Sequence, residues 1–127
     1  MKYYLDTSII VDFVLGKPIA TAIVKSLEGQ LFTSTLGRAE TIRTMHKFYP
    51  NQLPSADEFL RSIYLLAIAD SVWEKVETFG PAITLTTADS IHIATALLLI
   101  EGSGALVTLD KQMAVNAKNL GLQVISS

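Results

Sequence analysis

The stretch YYLDTSIIVDF, residues 3–13, decides the fold, because a short apolar run in it ends at an acid. Tyr3-Tyr4-Leu5 is typical of the end of a buried strand. Asp6-Thr7-Ser8 is typical of the start of a helix, which we expect to run from Thr7 to Leu15 because Gly16 follows. A carboxylate at the end of a core strand raises the question whether other acids of the chain reach the same place.

Strand-like and helix-like segments alternate along the rest of the chain. The further predicted strands are Gln30–Thr33, Leu65–Ala69, Ala105–Leu109 and Leu122–Ile125. The segment Leu65–Ala69 has a second interpretation, the tail of the preceding helix, and we favour the strand. Strands separated by helices predict a parallel sheet that is covered on both faces.

Helix starts and stops follow from caps, prolines and glycines. One helix has Pro18 in its first turn and extends to about Leu27, and another follows the N-cap Ser34 from Leu36 to about Phe48. Three later helices begin with the capping-box pattern, a Ser or Thr followed three residues on by an acid. Those starts are Ser55, Ser71 and Thr86, and a last helix covers Met113–Leu120 before Gly121. We therefore expect one α/β domain over residues 1–127, with a central parallel sheet of four to five strands and helices on both faces.

Composition limits the class of protein. The chain has 127 residues, of which 50% are hydrophobic, so it fits one domain with a substantial core. It has no cysteine, which excludes a disulfide framework and a thiolate metal site. No apolar run approaches the ~20 residues that span a bilayer, and no signal-like segment begins the chain, so we expect a cytoplasmic protein without a membrane contact. The net charge of −2 neither predicts nor excludes a nucleic-acid partner.

Four acids are predicted to meet at one edge of the sheet, since ligands bind beyond the carboxyl ends of parallel strands. Asp6 ends the first strand, and Asp110 ends the strand Ala105–Leu109. Asp89 lies in the first turn of a helix that begins near that edge. Glu40 lies six residues after Ser34, so it reaches the edge only if the site is close to the start of its helix. Each acid alone also has a structural interpretation, as a turn, a cap or a solvated residue.

Converging carboxylates need a counter-charge. Two of them ~4 Å apart repel by about 1 kcal/mol in water and by about 4 kcal/mol at an effective dielectric of 20. An all-oxygen pocket without cysteine favours Mg²⁺ or Mn²⁺ over zinc. Two such ions can activate a water and stabilise the leaving oxygen in phosphodiester hydrolysis.

Four stretches together resemble the PIN-domain ribonucleases, and most of all the VapC-type toxins of toxin–antitoxin pairs. They are YLDTSIIVDF (4–13), TSTLGRAETIR (33–43), LTTADSIHIATAL (85–97) and ALVTLDKQMAVNAKNLGLQVI (105–125). The resemblance implies a single PIN-like domain and a Mg²⁺- or Mn²⁺-dependent endoribonuclease that hydrolyses RNA phosphodiester bonds. It also implies a cognate antitoxin and a homodimer as partners.

The resemblance assigns roles to individual residues. The catalytic, metal-binding acids would be Asp6, Glu40, Asp89 and Asp110, with Asp6 and Asp89 as the firmest ligands. Ser8 and Thr108 match small hydroxyl positions that would orient Asp6 and Asp110. Met113 departs from the family, which often carries Phe there.

Several other residues have competing interpretations. Arg38 and Arg43 flank Glu40, with Lys47 one turn later, and they either contact RNA phosphates or form a solvated helix face. His92, three residues after Asp89, is expected to be a partly buried, hydrogen-bonded histidine rather than a catalyst, and His46 a surface residue. Trp73 and the run Tyr64-Leu65-Leu66 are expected in the core or at a dimer contact rather than as platforms on which RNA bases stack.

Other functions fit less well. A signalling receiver domain usually needs a Lys at the end of its last strand, where this chain has only Ser126 and Ser127. A phosphatase of the haloacid dehalogenase type would carry a second Asp where this chain has Ser8. Nucleotide-binding classes would require a Gly-rich phosphate loop, which is absent. A non-catalytic PIN-like binding module stays open.

Overall fold

A computed structural model describes all residues, 1–127, and contains a single sheet of five parallel strands. The strands are β1 Lys2–Leu5, β2 Gln30–Ser34, β3 Tyr64–Leu66, β4 Gly104–Val107 and β5 Val124–Ile125. Their order across the sheet is β3-β2-β1-β4-β5. The chain therefore moves outwards from β1 and then returns to its other side, which places the topological switch point between β1 and β4.

Seven α-helices cover the two faces of the sheet. They are α1 Thr7–Val14, α2 Pro18–Ser26, α3 Thr35–Phe48, α4 Leu53–Ser62, α5 Asp70–Glu77, α6 Thr87–Leu99 and α7 Lys111–Asn119. Side chains of β1 alternate between the faces, so Tyr3 and Leu5 belong to one hydrophobic core and Tyr4 to another. The prediction of one α/β domain with a parallel sheet of four to five strands and helices on both faces is confirmed.

Two of the three predicted capping boxes are wrong. Helix α4 begins at Leu53 rather than at Ser55, because Pro54 suits the first turn of a helix, and no side chain caps this start. Helix α5 begins at Asp70, before Ser71, also without a side-chain cap. At α6 the predicted cap is present, since Thr86 Oγ1 accepts a hydrogen bond of 3.2 Å from the Asp89 N–H. The predicted third strand exists, but it spans only Tyr64–Leu66.

No single helix is both long and apolar enough to cross a membrane. Helices α1 and α2 pass such a test of length and composition only when they are taken together, across a bend of 110°.

Candidate functional site

Four helices begin at the carboxyl edge of the sheet, and each has a side-chain cap on its first turn. The capping residues are Asp6 for α1, Ser34 for α3, Thr86 for α6 and Asp110 for α7, with hydrogen bonds of 3.0–3.2 Å to backbone N–H groups. Two of the predicted site acids, Asp6 and Asp110, are therefore also helix N-caps, which is one of the structural roles of an isolated acid. The N-termini of these helices, which are the positive ends of the helix dipoles, also face this edge. They reduce the electrostatic repulsion between carboxylates there.

Asp6 is a buried carboxylate held by hydroxyl groups. Its side chain is only 2% exposed. One oxygen accepts a hydrogen bond of 2.7 Å from Ser8 Oγ, and the other accepts one of 2.5 Å from Thr108 Oγ1. Burial raises the pKa of Asp6 above its ordinary value, although these hydrogen bonds oppose the shift. The site therefore fixes the position of this carboxylate while leaving its negative charge poorly solvated.

Ser8 and Thr108 also connect Asp6 to the loop that precedes α7. Ser8 Oγ accepts a hydrogen bond of 2.9 Å from the Leu109 N–H, and Thr108 Oγ1 accepts one of 3.0 Å from the Asp110 N–H. Each hydroxyl thus donates to Asp6 and accepts from the backbone around Asp110. At Asp6 both hydroxyls contact the carboxylate, whereas at Asp110 they bind the backbone, and the orienting role of the two hydroxyls stays a prediction.

Glu40 reaches the same edge, which the sequence left uncertain. Its Oε1 accepts a hydrogen bond of 2.7 Å from Thr7 Oγ1, next in the chain to Asp6, and lies 2.5 Å from His92 Nε2. Burial raises the pKa of Glu40, but the hydrogen bonds from His92 and Thr7 outweigh it, and the pKa lies below its ordinary value. Glu40 is therefore ionised at neutral pH beside the poorly solvated Asp6.

His92 links Glu40 to the interior of the sheet. Its side chain is 1% exposed, and its Nδ1 lies 2.7 Å from the Tyr4 hydroxyl, which lies 2.8 Å from Ser34 Oγ. Because a carboxylate only accepts, we assign a proton to His92 Nε2. The Tyr4 hydroxyl donates its proton to Ser34 Oγ and also contacts His92 Nδ1. The predicted hydrogen bonds of His92 are present, but the side chain is fully rather than partly buried.

Tyr4 and Thr7 were missed as site residues. A signal for Tyr4 exists in the sequence, since the hydroxyl of a tyrosine in a fully buried strand needs a partner. For Thr7 there is none, because its position at the start of α1 is explained without any contact to Glu40.

A glycine allows α3 to begin close to the sheet. A Cβ atom at Gly37 would lie 2.3 Å from Thr33 Oγ1 and 3.5 Å from His92 Cε1. Thr33 is itself fixed, since its hydroxyl donates a hydrogen bond of 2.8 Å to the Leu5 carbonyl. This close approach holds the first turns of α3, and with them Glu40, against the edge.

The four acids do not form one compact cluster. No group of three or more Asp, Glu or His side chains lies close enough together to hold a metal ion. Asp89 is half-buried in the first turn of α6, one turn before His92, and the Asp110 side chain is exposed at the start of α7. The structure thus connects Asp6 to Glu40 through Thr7, its neighbour in the chain, and to the Asp110 backbone through Thr108, while no hydrogen bond joins the carboxylates of Asp89 and Asp110 to those of Asp6 and Glu40.

The two arginines beside Glu40 differ in their surroundings. Arg38 forms an ion pair of 3.1 Å with Asp57, which also binds Arg61 at 2.7 Å. Hydrogen bonds from Arg61 and Arg38 lower the pKa of Asp57. Arg43 is exposed and lines a groove of about 410 Å³ together with Glu40. Of the two, Arg43 is therefore the one available to an anion.

The remaining predictions concern surface residues. His46 is exposed, as predicted. Trp73 is 48% exposed and Tyr64 56% exposed, so the core placement expected for them is wrong and a dimer contact stays a prediction. Tyr64 stacks on Phe32 at the edge strand, with 5.0 Å between ring centroids.

Comparison with known proteins places the chain in a family. The PIN domain model matches residues 3–119. Ribonuclease VapC47 of Mycobacterium tuberculosis is 31% identical over 130 residues, and ribonuclease VapC46 of the same species is 32% identical over 125 residues; each alignment covers 97% of this chain and 95% of the relative. A toxin–antitoxin complex from Klebsiella pneumoniae shares the fold with a TM-score of 0.77, at 21% identity over 97% of this chain and 95% of that one. The chain therefore belongs to the PIN domain family, in which VapC ribonucleases are similar to it over nearly their whole length.

Proposed function

We propose that this protein is a Mg²⁺- or Mn²⁺-dependent endoribonuclease that hydrolyses RNA phosphodiester bonds, and that it is the toxin of a toxin–antitoxin pair acting in the cytoplasm. The observation that carries the proposal is the buried carboxylate of Asp6 beside the ionised Glu40, at the edge where the strand order reverses. The ribonuclease activity named for its relatives supports the same conclusion.

The residues present fit a hard divalent cation. The donors at the edge are carboxylate and hydroxyl oxygens, with no sulfur. Mg²⁺ keeps several waters and binds through one or two carboxylates, so the absence of a three-acid cluster is compatible with it. We assign Asp6 and Asp89 as principal ligands, with Glu40 and Asp110 completing the site. A bound ion would supply a nucleophilic water and stabilise the leaving oxygen.

The protein's own contribution is to hold these groups in position. Ser8 and Thr108 fix the two oxygens of Asp6, and Thr7 and His92 fix Glu40. Arg43, in the groove beside Glu40, suits an RNA phosphate, since a guanidinium can bind phosphate through two N–H groups. Arg38 would first have to leave Asp57, and we rank it below Arg43 as an RNA contact.

The proposal is tested by incubating total cellular RNA with the protein, with and without Mn²⁺, beside the Asp6→Asn variant. We expect fragments only with the wild type and metal, and sequencing of the fragment ends would then identify the cleaved site. Equal fragmentation by the wild type, Asp6→Asn and Asp89→Asn would refute the assignment of the acids.

Partners are part of the proposal. The helices from Thr7 to Leu27 and from Ser55 to Tyr64 are rich in apolar residues, and Ile19 in α2 is 60% exposed, so these surfaces suit an antitoxin segment and a second copy of the chain. Light scattering of the purified protein, alone and mixed with a candidate antitoxin, distinguishes a homodimer from a monomer and detects the complex.

A non-catalytic binding module is the second candidate, and the absence of three acids or histidines close enough together to hold a metal ion favours it. It predicts RNA binding without fragments at any Mn²⁺ concentration. Incubation of the protein with total cellular RNA and Mn²⁺, followed by a measurement of RNA binding, distinguishes the binding module from the ribonuclease.

A further inference from the structure

One exposed face of α3 leads directly away from Glu40. The groove beside Glu40 is lined by Thr7 and by residues of α3 spaced three or four apart, namely Glu40, Arg43, Thr44, Lys47 and Phe48. This spacing places the α3 residues on one side of the helix. At 1.5 Å per residue, the path from Glu40 to Phe48 is about 12 Å long. The groove therefore connects the acidic edge with the far end of α3.

This face carries unpaired positive charge in a protein whose net charge is −2. Arg43 and Lys47 take part in none of the ion pairs of the structure. With His46 they also line a second depression next to the groove. Glu40 is the only acid in α3. Charge on this face is thus complementary to a phosphodiester backbone.

An aromatic ring lies at the end of the groove without a partner in the core. Phe48 is 62% exposed, and Lys47 Nζ lies 5.2 Å from its ring centroid. The ring of Tyr49, 39% exposed, lies 6.3 Å from that of Phe48. An exposed ring beside a cation offers what one nucleotide requires, a flat surface for its base and a charge for its phosphate.

We propose that this face of α3 binds an unpaired RNA strand, with a base stacked on Phe48 and the flanking phosphates on Arg43 and Lys47. The inference rests on the proposed ribonuclease function and names side chains beyond the acidic edge, Phe48, Arg43 and Lys47, that would hold its RNA substrate. A base in a duplex is stacked on its neighbours and has no free face for Phe48, whereas a base in a loop or single strand does.

A protein partner fits this face less well. The centres of protein interfaces are depleted in Lys and enriched in clustered apolar groups. Here Phe48 is the one apolar side chain of the groove, and its neighbours are Arg43, Thr44 and Lys47.

The test measures fluorescence anisotropy of a short labelled oligoribonucleotide, both as a single strand and as a duplex. Cleavage during the measurement is prevented in two ways. One series of variants is made in the wild-type protein and measured in EDTA, and the other is made in the Asp6→Asn protein and measured in Mg²⁺. Phe48→Ala should weaken single-strand binding about 5- to 150-fold without changing the dependence on salt. Phe48→Trp should retain the affinity. Lys47→Ala should reduce the slope of log K against log salt by about 0.7.

Matched controls lie on α5, which contributes nothing to the groove. Trp73→Ala removes another exposed ring, and Lys75→Ala another exposed cation. Both should leave the affinity and its salt slope unchanged. Unfolding midpoints of all variants should match the wild type, since the altered side chains are exposed.

Several results would overturn the inference. They are no RNA binding under either condition, equal affinity for the duplex and the single strand, or wild-type affinity of Phe48→Ala. A change in solution mass of Phe48→Ala without a change in RNA affinity would assign the face to a protein contact instead. Failure of the two proposals is distinguishable. If the wild type cleaves RNA but Phe48→Ala binds RNA with unchanged affinity, the proposed binding face on α3 is refuted. If RNA binding depends on Phe48 but no cleavage is seen, the proposed ribonuclease activity is refuted.

Discussion

His92 Nε2 lies 2.5 Å from Glu40 Oε1, although 52 residues separate them in the chain. On its other side the imidazole meets the hydroxyl of Tyr4, in the central strand. One carboxylate of the candidate site is thus fixed by a chain of hydrogen bonds that begins inside the sheet. Changes in the core are therefore expected to alter the site as well as stability.

Tyr4→Phe tests this connection. The substitution leaves the buried His92 Nδ1 without its partner, which costs about 1–3 kcal/mol for an unsatisfied buried polar group. We expect the free energy of unfolding in urea to fall by that amount. We also expect kcat for RNA cleavage to fall with little change in KM, because Glu40 is less well held.

Tyr3→Phe is the matched control, since the Tyr3 hydroxyl has only a 3.4 Å contact with Met1 Sδ, a weak acceptor. Unchanged kcat in Tyr4→Phe together with wild-type stability would show that the hydrogen-bonded chain does not hold Glu40.

Asp6→Asn should abolish cleavage, and the stability of the metal-free variant relative to the wild type should rise from acid to neutral pH. Burial raises the pKa of Asp6 in the folded protein, so the ionised side chain destabilises the fold. That cost is absent below the ordinary pKa of 3.8, grows as the pH rises, and is complete above the folded pKa. The gain in unfolding free energy for Asn over Asp, measured in EDTA, should therefore increase from acid to neutral pH.

Asp12→Asn provides the comparison, because Asp12 forms only a 3.4 Å ion pair with Lys17 near the surface. Its effect should stay small at every pH. A gain for Asp6→Asn that is constant or shrinks as the pH rises would contradict the predicted direction of the Asp6 pKa.

Mg²⁺ or Mn²⁺ should raise the thermal unfolding midpoint of the wild type. An ion that binds only the folded state at 100 times its Kd stabilises it by about 2.7 kcal/mol. Asp89→Asn should remove this rise while leaving the metal-free midpoint almost unchanged, since the cap on α6 is made by Thr86. Asp70→Asn, at an exposed acid in the first turn of α5, should retain the rise. An unchanged wild-type midpoint up to millimolar metal would exclude the metal site.

Arg43→Ala should weaken RNA binding and reduce the salt slope by about 0.7, because it removes one phosphate contact to a single strand. Arg38→Ala should leave the slope unchanged, since Arg38 is bound to Asp57. Its effect on stability should also be small, within about 1 kcal/mol for an exposed ion pair. Identical salt slopes for the wild type and Arg43→Ala would show that Arg43 belongs to a solvated helix face and does not contact RNA.

The sequence predicts the positions of the strands and helices and the common edge of two of the acids. Alternation of strand and helix depends on local periodicity and turn residues, which a single sequence displays, and the five strands were placed correctly within a few residues. Asp6 and Asp110 could be assigned to one edge because parallel strands end together.

Contacts between distant segments escaped prediction. The pairing of Glu40 with His92 depends on how closely α3 and α6 approach the sheet, and that distance is set by packing at Gly37 and Thr33 rather than by any pattern in the chain. Likewise the ion pair of Arg38 with Asp57 joins α3 to α4, and nothing near Arg38 in the sequence distinguishes it from Arg43.

Because the space at Gly37 is narrow, substitutions at this position should inactivate the enzyme, although Gly37 has no side chain that could take part in catalysis. Any side chain there would overlap Thr33 Oγ1, so that either Thr33 or the start of the helix that carries Glu40 has to shift. Random mutagenesis followed by a screen for loss of RNA cleavage should therefore recover inactivating alleles at codon 37 as readily as at the codons of the acids.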